Sequence, residues 1–376
     1  MHETDFLVVG AGIAGAGIAF QMAPHARVTL IDMEEQAGYH TTGRSAAFYA
    51  ETYGGAKLQP LTTASKEFLQ HPPVGFSGQP VLAQLGAIHV FREDQRSTAE
   101  KMFTDKSKTL SGIAMLSAEQ VHARAPYLQS ANIAGGIEDP GCGNLDVAAL
   151  HQGFLKGAKK AGAIVQLGAG FESATFKDGR WIVKTRTGEI RAKTIVNAAG
   201  AWGDEIAERA GVKPIGLSPL RRTIVTITNP DGLMFNKDGP IVIDVDEEFY
   251  FKPEGVGYLV SPADEITSPP CDAQPELEDV AIAAGLFERA SGAAVHRVDA
   301  KWAGLRTFAS DRTPVIGYAV DNTGFFWNVG QGGYGIQTAP AWSALAGALA
   351  LHQPVPQFLL DNKVQAELYN PARFSS

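Results

Sequence analysis

The stretch FLVVGAGIAGAGIAFQMAPHARVTLID, residues 6–32, decides the fold. It opens with a short apolar run, which is typical of a strand that is covered on both faces of a parallel sheet. A glycine-rich turn, a helical segment and a second apolar strand follow. This order predicts one strand–helix–strand unit. Its parts are residues 6–9, 10–15, 16–22 and 28–31.

The glycines of this unit have the spacing Gly10-x-Gly12-x-x-Gly15, which predicts a dinucleotide site in this context. Gly10 permits the tight turn, Gly12 lets the backbone approach a pyrophosphate, and Gly15 lets the helix pack on the strand. The helix N-terminus then offers free N–H groups to the anion. Asp32 stands 22 positions after the first glycine, where it would accept hydrogen bonds from the adenosine ribose.

Composition excludes several classes of protein. The chain has 376 residues, and its 41 glycines are about 11 %, against a usual level of about 7 %. A net charge of −8 leaves no basic footprint for nucleic acid. Two distant cysteines, Cys142 and Cys271, argue against a disulfide scaffold, a zinc ribbon and an iron–sulfur cluster. His, Asp and Glu show no metal-ligand spacing, so we expect no metal.

The beginning of the chain predicts a cytoplasmic location. Residues 1–5 lack the basic region of a signal peptide. No apolar run reaches the ~18 residues that a membrane span needs. We therefore expect a protein with no integral membrane span and no nucleic-acid partner, whose partner is a small molecule.

The opening motif does not distinguish FAD from NAD, but two later segments favour FAD. Residues 38–47, GYHTTGRSAA, follow the second strand closely, where an extended cofactor would continue. A late apolar strand at 325–329 runs into residues 330–335, GQGGYG, and then into a helix. This second glycine-rich helix N-terminus is suited to contact with the flavin ring or its ribityl chain.

Two kinds of segment alternate along the chain. Nucleotide-type segments occupy 1–50, 145–215 and 300–376, and mixed α+β segments occupy 51–144 and 216–299. We predict an α/β fold with two interleaved domains. A Rossmann-type FAD-binding domain of the glutathione-reductase-like kind is interleaved with an α+β substrate-binding domain that has a mixed antiparallel sheet.

Four motifs run the length of the chain in one order. They are VGAGIAG at 9–15, VNAAGAW at 196–202, WAGLR at 302–306 with DRTPVIG at 311–317, and the glycine cluster at 330–335. In these motifs the sequence resembles the FAD-dependent amine and amino-acid oxidoreductases of the D-amino acid oxidase (DAO) and glycine oxidase family, which includes sarcosine oxidase. Within this family it is most similar to bacterial D-arginine dehydrogenase, in residues 39–47, 249–253 and 331–337.

The resemblance implies FAD that is not covalently bound, because neither cysteine lies late in the chain, where some members attach the flavin. Pattern and resemblance together predict the residues that contact this cofactor. They are Gly10, Gly12, Ile13, Ala14, Gly15, Asp32, Gly43, Arg44, Ser45, Ala46, Ala199, Gly200, Trp202, Gly304, Gly332, Gly333, Tyr334, Gly335 and Ile336.

A carboxylate substrate needs a cation that binds both of its oxygens, and arginine has that geometry. Arg222 opens an alternating strand, and Arg306 lies in the WAGLR motif. The resemblance implies that both anchor the substrate carboxylate. Arg221 should point to the opposite face of its strand. The other residues that the resemblance places at the reacting group are Tyr53, Tyr250, Gly333 and Gln337.

The chain departs from D-arginine dehydrogenase in the substrate pocket. Ala87 replaces a glutamate that pairs with the substrate guanidinium, Phe48 replaces a histidine near the amine, and Ala50 replaces a threonine. Because a buried guanidinium without a partner is costly, we expect arginine to be a poor substrate and the side chain to be smaller or apolar. No general base is apparent, and His89, inside a strand, is typical of a buried core residue.

We interpret the chain as an FAD-dependent dehydrogenase or oxidase of a D-amino acid. Hydride transfer to flavin N5 would give the imino acid, which water hydrolyses to the 2-oxo acid. The alternatives are oxidation of glycine, of a sarcosine-like N-alkyl amino acid or of a 2-hydroxy acid, since each has a carboxylate beside an oxidisable C–H bond. A flavoprotein without turnover is disfavoured because it needs no carboxylate anchor. Oxygen, a quinone and a dye all stay open as electron acceptors.

Overall fold

Strands and helices alternate along residues 2–128, 132–230 and 232–374, which the computed structural model describes. The strands in chain order are β1 (His2–Val9), β2 (Val28–Ile31), β3 (Phe48–Tyr49), β4 (Leu82–Gln84), β5 (Ala87–Phe91), β6 (Ala114–Ser117), β7 (Gly135–Asp139), β8 (Gly143–Leu145), β9 (Ile164–Gln166), β10 (Phe171–Lys177), β11 (Arg180–Thr185), β12 (Gly188–Asn197), β13 (Ser218–Thr228), β14 (Ile241–Asp244), β15 (Tyr250–Glu254), β16 (Gly257–Ser261), β17 (Ile266–Thr267), β18 (Ala300–Phe308), β19 (Val315–Tyr318) and β20 (Phe325–Val329). The α-helices are α1 (Ile13–Met22), α2 (Gly55–Gln70), α3 (Arg96–Lys106), α4 (Ala118–Arg124), α5 (Val147–Lys160), α6 (Gly203–Arg209), α7 (Leu277–Ser291), α8 (Ala339–Ala350) and α9 (Gln357–Asp361).

The predicted strand–helix–strand unit is present as β1, α1 and β2. β1 and β2 run parallel, with Phe6 opposite Val28 and the last residues of the two strands also paired. Every residue of β2 is buried, as expected of a strand that is covered on both faces. α1 begins at Ile13, directly after the glycine turn and three residues before the predicted start.

The first sheet contains eight strands among the described residues, in the order β10-β11-β12-β1-β2-β9, with β20 beside β12 and β19 beside β20. β9, β2, β1, β12 and β20 run parallel to one another. β10 and β11 form an antiparallel hairpin. Its turn residues Asp178 and Gly179 have φ values of 52° and 73°. Two consecutive residues with positive φ are what a tight two-residue hairpin requires.

The second sheet is mixed and has the order β17-β13-β16-β15-β14-β5-β7-β6, with β18 on the other side of β13. β13 and β18 pair antiparallel from Ser218 opposite Phe308 to Thr226 opposite Ala300. β5 and β14 are parallel neighbours. A short third sheet has the order β3-β8-β4.

The predicted α/β fold is confirmed, with a parallel nucleotide-type sheet and a separate mixed sheet. β18, the first strand of the segment 300–376, belongs to the second sheet because it pairs antiparallel with β13 over nine residue pairs. The division of the chain into two interleaved domains stays a prediction.

α1 packs close to the first sheet because glycine permits it. A Cβ on Gly15 would overlap the carbonyl oxygen of Gly10 and would lie 3.1 Å from Leu30 Cδ1. Every residue of α1 except two, Phe20 and Gln21, is buried. Across residues 2–128, 132–230 and 232–374, no helix is both long and apolar enough to cross a membrane.

Candidate active site

One cavity of about 740 Å³ is lined by both large sheets. The first sheet contributes the ends of β1 and β2, where Val9 and Asp32 lie. The second sheet contributes side chains that include His89, Arg222 and Arg306. The predicted dinucleotide end and the predicted carboxylate anchors therefore open on the same space.

The dinucleotide end is built around the N-terminus of α1. Gly10 has a φ of 102°, and a Cβ there would lie 2.5 Å from the carbonyl oxygen of Ala198. Asp32 Oδ2 accepts the N–H of Ala11 at 2.5 Å, and its Oδ1 accepts the N–H of Glu34 at 2.9 Å. Burial raises the pKa of Asp32 above its ordinary value, while these two N–H groups act in the opposite direction. Asp32 thus anchors the turn as well as lining the cavity.

The groups around this end fit the pyrophosphate and ribose part of FAD. Gly12 is the N-cap of α1, has no side chain, and is followed by a first turn without an acidic residue. A Cβ on Gly12 would enter the cavity and meet only Thr42 Oγ1, at 3.1 Å. His40 lines the same space, and its Nδ1 is buried without a hydrogen-bond partner in the described part of the chain. A bound group with polar atoms would supply that partner.

Most residues predicted to contact FAD line the cavity. They are Gly10, Gly12, Ile13, Ala14, Asp32, Arg44, Ser45, Ala46, Ala199, Gly200, Trp202, Gly304, Gly332, Gly333, Gly335 and Ile336. Three others lie behind its lining. Gly15 packs α1 against Gly10, the N–H of Gly43 donates to the carbonyl of Gly38 at 2.8 Å, and Tyr334 packs on Tyr53. Their contribution is to support the cavity from behind.

Arg44 lines the cavity, but its guanidinium is committed elsewhere. Nη1 donates to the carbonyls of Ala273 and Ala303 at 2.9 and 3.2 Å, and Nη2 pairs with Asp272 at 2.5 Å. Within the described chain, these three oxygens belong to residues outside the cavity lining, and they use three of the five N–H donors of the guanidinium. The contact of Arg44 with the flavin or its phosphates stays a prediction.

Arg222 and Arg306 lie on the paired strands β13 and β18 and donate to one carboxylate oxygen. Arg306 Nη1 is 2.9 Å, and Arg222 Nη2 is 3.4 Å, from Glu265 Oε1. Both arginine side chains are only 10–12 % exposed. Arg312 Nη2 reaches the same oxygen at 2.8 Å from a half-exposed position. Burial acts to raise the pKa of Glu265, but the three guanidinium groups outweigh it and hold that pKa below its ordinary value.

Arg221 has the other orientation, as predicted. Its Nη1 pairs with Glu276 at 2.9 Å and its Nη2 with Asp279 at 2.8 Å. These partners belong to α7 and the residue before it. Adjacent residues of a strand point to opposite faces, so Arg222 faces the cavity and Arg221 faces α7.

Aromatic side chains surround the arginine pair. Arg306 Nη2 donates a hydrogen bond to the hydroxyl of Tyr53, and burial raises the pKa of Tyr53 well above its ordinary value. The ring of Phe48 lies 5.4 Å from that of Tyr250 and 6.5 Å from that of Tyr53. Tyr53, Tyr250 and Phe48 all line the cavity. Their rings form one aromatic wall of the cavity beside Arg306.

Two residues predicted at the substrate have structural tasks in this fold. Gln337 lines the cavity, but its Oε1 accepts the N–H of Ala50 and its Nε2 donates to Thr62, both at 3.1 Å. These two bonds fix the orientation of the amide and leave one of its N–H donors and one lone pair of its oxygen unused. Gly333 lies against Arg306, and a Cβ there would overlap the guanidinium. Glycine at this position is what lets the arginine occupy its place.

β5 presents His89 to the cavity, and not Ala87. Ala87 is 1 % exposed and packs with Ala50, Ile241 and Tyr250, so the structure does not place it in the substrate pocket. His89 is buried, as the sequence predicts, but it also lines the cavity. Its Nε2 lies 3.1 Å from the hydroxyl of Thr52.

Several residues at the cavity were not predicted. Thr42 Oγ1 accepts the N–H of Ile13 at 2.9 Å and so caps α1 from a distant turn. Residues i and i+2 of a strand share a face. Since Ala87 is predicted in the substrate pocket, the same pattern could have predicted His89 there as well. Glu265 carries no such signal, because its place depends on how β17 pairs with β13. Thr52, Met102 and Glu247 are among the other unpredicted residues of the lining.

Comparison with known proteins identifies the family. The family model described as FAD dependent oxidoreductase (DAO) matches residues 5–349. The glycine oxidase of Bacillus licheniformis is 24 % identical over 367 residues, which cover 93 % of this chain and 94 % of that protein. The mitochondrial dimethylglycine dehydrogenase of Mus musculus is 26 % identical over 268 residues, which cover 69 % of this chain.

The chain spans only 30 % of the length of that dimethylglycine dehydrogenase. Among solved structures, glycine oxidase from Geobacillus kaustophilus has the same fold. Its TM-score is 0.82 at 20 % identity, and the match covers 94 % of this chain and 96 % of that one. The family model covers most of the chain and includes the glycine turn, the arginine pair and the late glycine cluster. This protein therefore belongs to the FAD dependent oxidoreductase (DAO) family and is an FAD-dependent flavoprotein.

Proposed function

We propose that this protein oxidises an α-amino acid, and specifically a D-amino acid other than arginine, to the imino acid. One observation carries the proposal: Arg306 and Arg222 converge on a single carboxylate oxygen beside the cavity that also holds the FAD-binding turn. A site that already binds one carboxylate has the charge and the geometry to bind another. The relatives named glycine oxidase and dimethylglycine dehydrogenase support amino acids and N-alkyl amino acids as the substrate class.

The configuration and the side chain of the substrate are inferred from other parts of the chain. The similarity to bacterial D-arginine dehydrogenase in residues 39–47, 249–253 and 331–337 supports the D configuration. His89 is the side chain of β5 that lines the cavity, and it supplies no carboxylate for a guanidinium. We therefore propose a neutral side chain for the substrate.

The residues of this chain bind and orient the substrate. Arg306 and Arg222 take the carboxylate in place of Glu265, and the hydroxyl of Tyr53 fixes the Arg306 guanidinium. Tyr250 covers the substrate and excludes water from its Cα. When bound, FAD supplies the acceptor for the hydride that leaves Cα. The amine loses one proton to solvent, and water converts the resulting imino acid to the 2-oxo acid and ammonia.

Anaerobic mixing of the holoenzyme with a substrate panel tests this function. The panel contains D-amino acids, L-amino acids, glycine, sarcosine and 2-hydroxy acids, and the readouts are loss of flavin absorbance and formation of the 2-oxo acid. We expect neutral D-amino acids to bleach the flavin fastest and D-arginine slowly. Bleaching only by sarcosine or glycine would shift the substrate to the N-alkyl class, and no bleaching by any member of the panel would refute the proposal.

Glu265→Gln should lower KM for the amino acid about threefold to tenfold, or ~0.7–1.4 kcal/mol. The reason is that an ionised side chain no longer competes with the substrate carboxylate for Arg306 and Arg222. Initial rates against substrate concentration measure the change. Glu276→Gln is the matched control, because Glu276 pairs with Arg221 on the face away from the cavity. A KM that rises in Glu265→Gln would show that Glu265 positions the arginines instead of competing with the substrate.

A further inference from the structure

His89 lies at the far end of the cavity from the arginine pair. Its neighbours across the second sheet are Ile243 on β14 and then Tyr250 on β15, and both also line the cavity. β5 is four strands away from β13, which carries Arg222, through β14, β15 and β16. At about 4.8 Å for each step, the two strands are roughly 19 Å apart. Over that separation, a substrate held by its carboxylate at Arg222 can meet His89 only with the end of a long side chain.

A buried network behind His89 sets its hydrogen-bonding character. Asp139 accepts three hydrogen bonds, from the N–H of Gly141 at 2.9 Å, the hydroxyl of Thr52 at 2.9 Å and the thiol of Cys142 at 3.1 Å. The hydroxyl of Thr52 has one proton, which it donates in the hydrogen bond to Asp139. The contact of 3.1 Å between Thr52 Oγ1 and His89 Nε2 is then a hydrogen bond that the imidazole donates. The proton of a neutral His89 is thus on Nε2, and Nδ1 carries a lone pair.

His89 is uncharged at neutral pH. Burial, with a smaller contribution from Lys106, lowers its pKa to about 4 against the opposite effect of Asp139. Nδ1 has no hydrogen-bond partner within residues 2–128, 132–230 and 232–374. The imidazole therefore offers one unused acceptor beside the cavity, with its tautomer fixed from behind.

The surroundings of this acceptor restrict what it can bind. Phe48, Met102, Ile224, Ile243 and Val245 are the apolar residues that line the cavity with it. The half-buried ammonium of Lys106 acts electrostatically on both His89 and Asp139. A purely apolar group at this end would leave the imidazole nitrogen unpaired at a cost.

We propose that His89 determines specificity by accepting a hydrogen bond from a neutral donor, a hydroxyl or an amide N–H, on the side chain of the amino-acid substrate. The proposal rests on the proposed function, because it takes the arginine pair as the carboxylate anchor. It changes the expected substrate from one with a plain apolar side chain to one with an apolar stem and a single polar donor. Thr52 and Asp139 act as positioning residues, since they reach the substrate only through His89.

Matched substrate pairs test the role of His89. The pairs are D-tyrosine and D-phenylalanine, and D-glutamine and D-norleucine. The wild-type holoenzyme should prefer the donor-bearing member of at least one pair by about tenfold or more in kcat/KM, because a buried acceptor penalises the analogue without the donor. His89→Leu should reduce that ratio to about one, with the loss confined to the donor-bearing member.

Two further substitutions separate recognition from folding. His89→Gln keeps an acceptor oxygen and should retain part of the preference. Thr52→Val removes the hydroxyl that fixes the tautomer and should reduce the preference, whereas Thr52→Ser should keep it. Bound flavin per protein confirms that each variant is folded and loaded.

The results distinguish the role of His89 from the proposed function, which is the oxidation of an amino acid. Suppose that amino acids are oxidised, but His89→Leu and Thr52→Val leave the ratio of kcat/KM within each pair unchanged. That result would overturn the role of His89 and would leave the proposed function standing. A wild-type enzyme without preference in any pair would overturn it too. If no amino acid is oxidised at all, the proposed function falls and the role of His89 falls with it.

Discussion

Replacing Arg306 with methionine should lower kcat/KM for the amino-acid substrate about a thousandfold. Arg306 is nearly buried, donates to both Glu265 and Tyr53, and lines the cavity opposite the FAD-binding turn. Removing one partner of a buried charged pair costs about 3–5 kcal/mol, and a thousandfold change is about 4 kcal/mol. Methionine keeps much of the length and apolar stem, so the change removes the charge and the donors. Stopped-flow measurement of flavin reduction under anaerobic conditions gives the rate and the apparent Kd separately.

The control for this prediction is Arg312→Met. Arg312 also donates to Glu265, at 2.8 Å, but it is 47 % exposed and does not belong to the cavity lining among the described residues. Its loss should change kcat/KM less than about threefold, because exposed ion pairs contribute little. Equal losses of kcat/KM in Arg306→Met and Arg312→Met would mean that both arginines act through Glu265. An unchanged Kd for the substrate in Arg306→Met would contradict the role of Arg306 as the carboxylate anchor.

The fold could be predicted from the sequence because its signals are local. The apolar strands at 6–9 and 28–31, the glycine spacing between them and the Asp178–Gly179 turn each depend on a few neighbouring residues, and each is present in the structure. The place of β18 could not be predicted in this way. It is set by nine residue pairs with a strand about eighty positions earlier, and local patterns carry no record of that pairing.

At the site, the position of a residue was easier to predict than its partner. The arginine pair, Tyr53 and Tyr250 all reach the cavity. Arg44 and Gln337 reach it too, but their polar groups have partners in distant parts of the chain. Arg44 donates to the carbonyl of Ala273, and Gln337 donates to Thr62 on α2. Glu265 was missed for the same reason, since it meets Arg306 only after β17 pairs with β13. Partner choice between distant segments is a property of the folded chain.

Gly12→Val should abolish the tight binding of FAD without unfolding the protein. The N-cap position has φ −72° and ψ −171°, an extended conformation that valine adopts readily. A Cβ there meets only Thr42 Oγ1, at 3.1 Å, so few protein groups need to move. The added methyl groups instead occupy the space at the N-terminus of α1 where a pyrophosphate approaches the backbone. We expect FAD affinity to fall about a hundredfold or more, which is ~2.7 kcal/mol and within the range of overpacking costs.

Flavin absorbance per protein after purification, and the rise of Tm when FAD is added to apoprotein, measure this effect. Ligand that binds only the folded state raises Tm, so wild-type apoprotein should gain stability with FAD and Gly12→Val should not. The apoproteins themselves should have similar Tm values, because the substitution disturbs so little of the protein. Gly78→Val is the matched control, since Gly78 is exposed and a Cβ there meets nothing within 4 Å. A Gly12→Val protein that is purified with a full complement of flavin would show that the cofactor does not approach the backbone at α1, and the assignment of this turn to the pyrophosphate would fail.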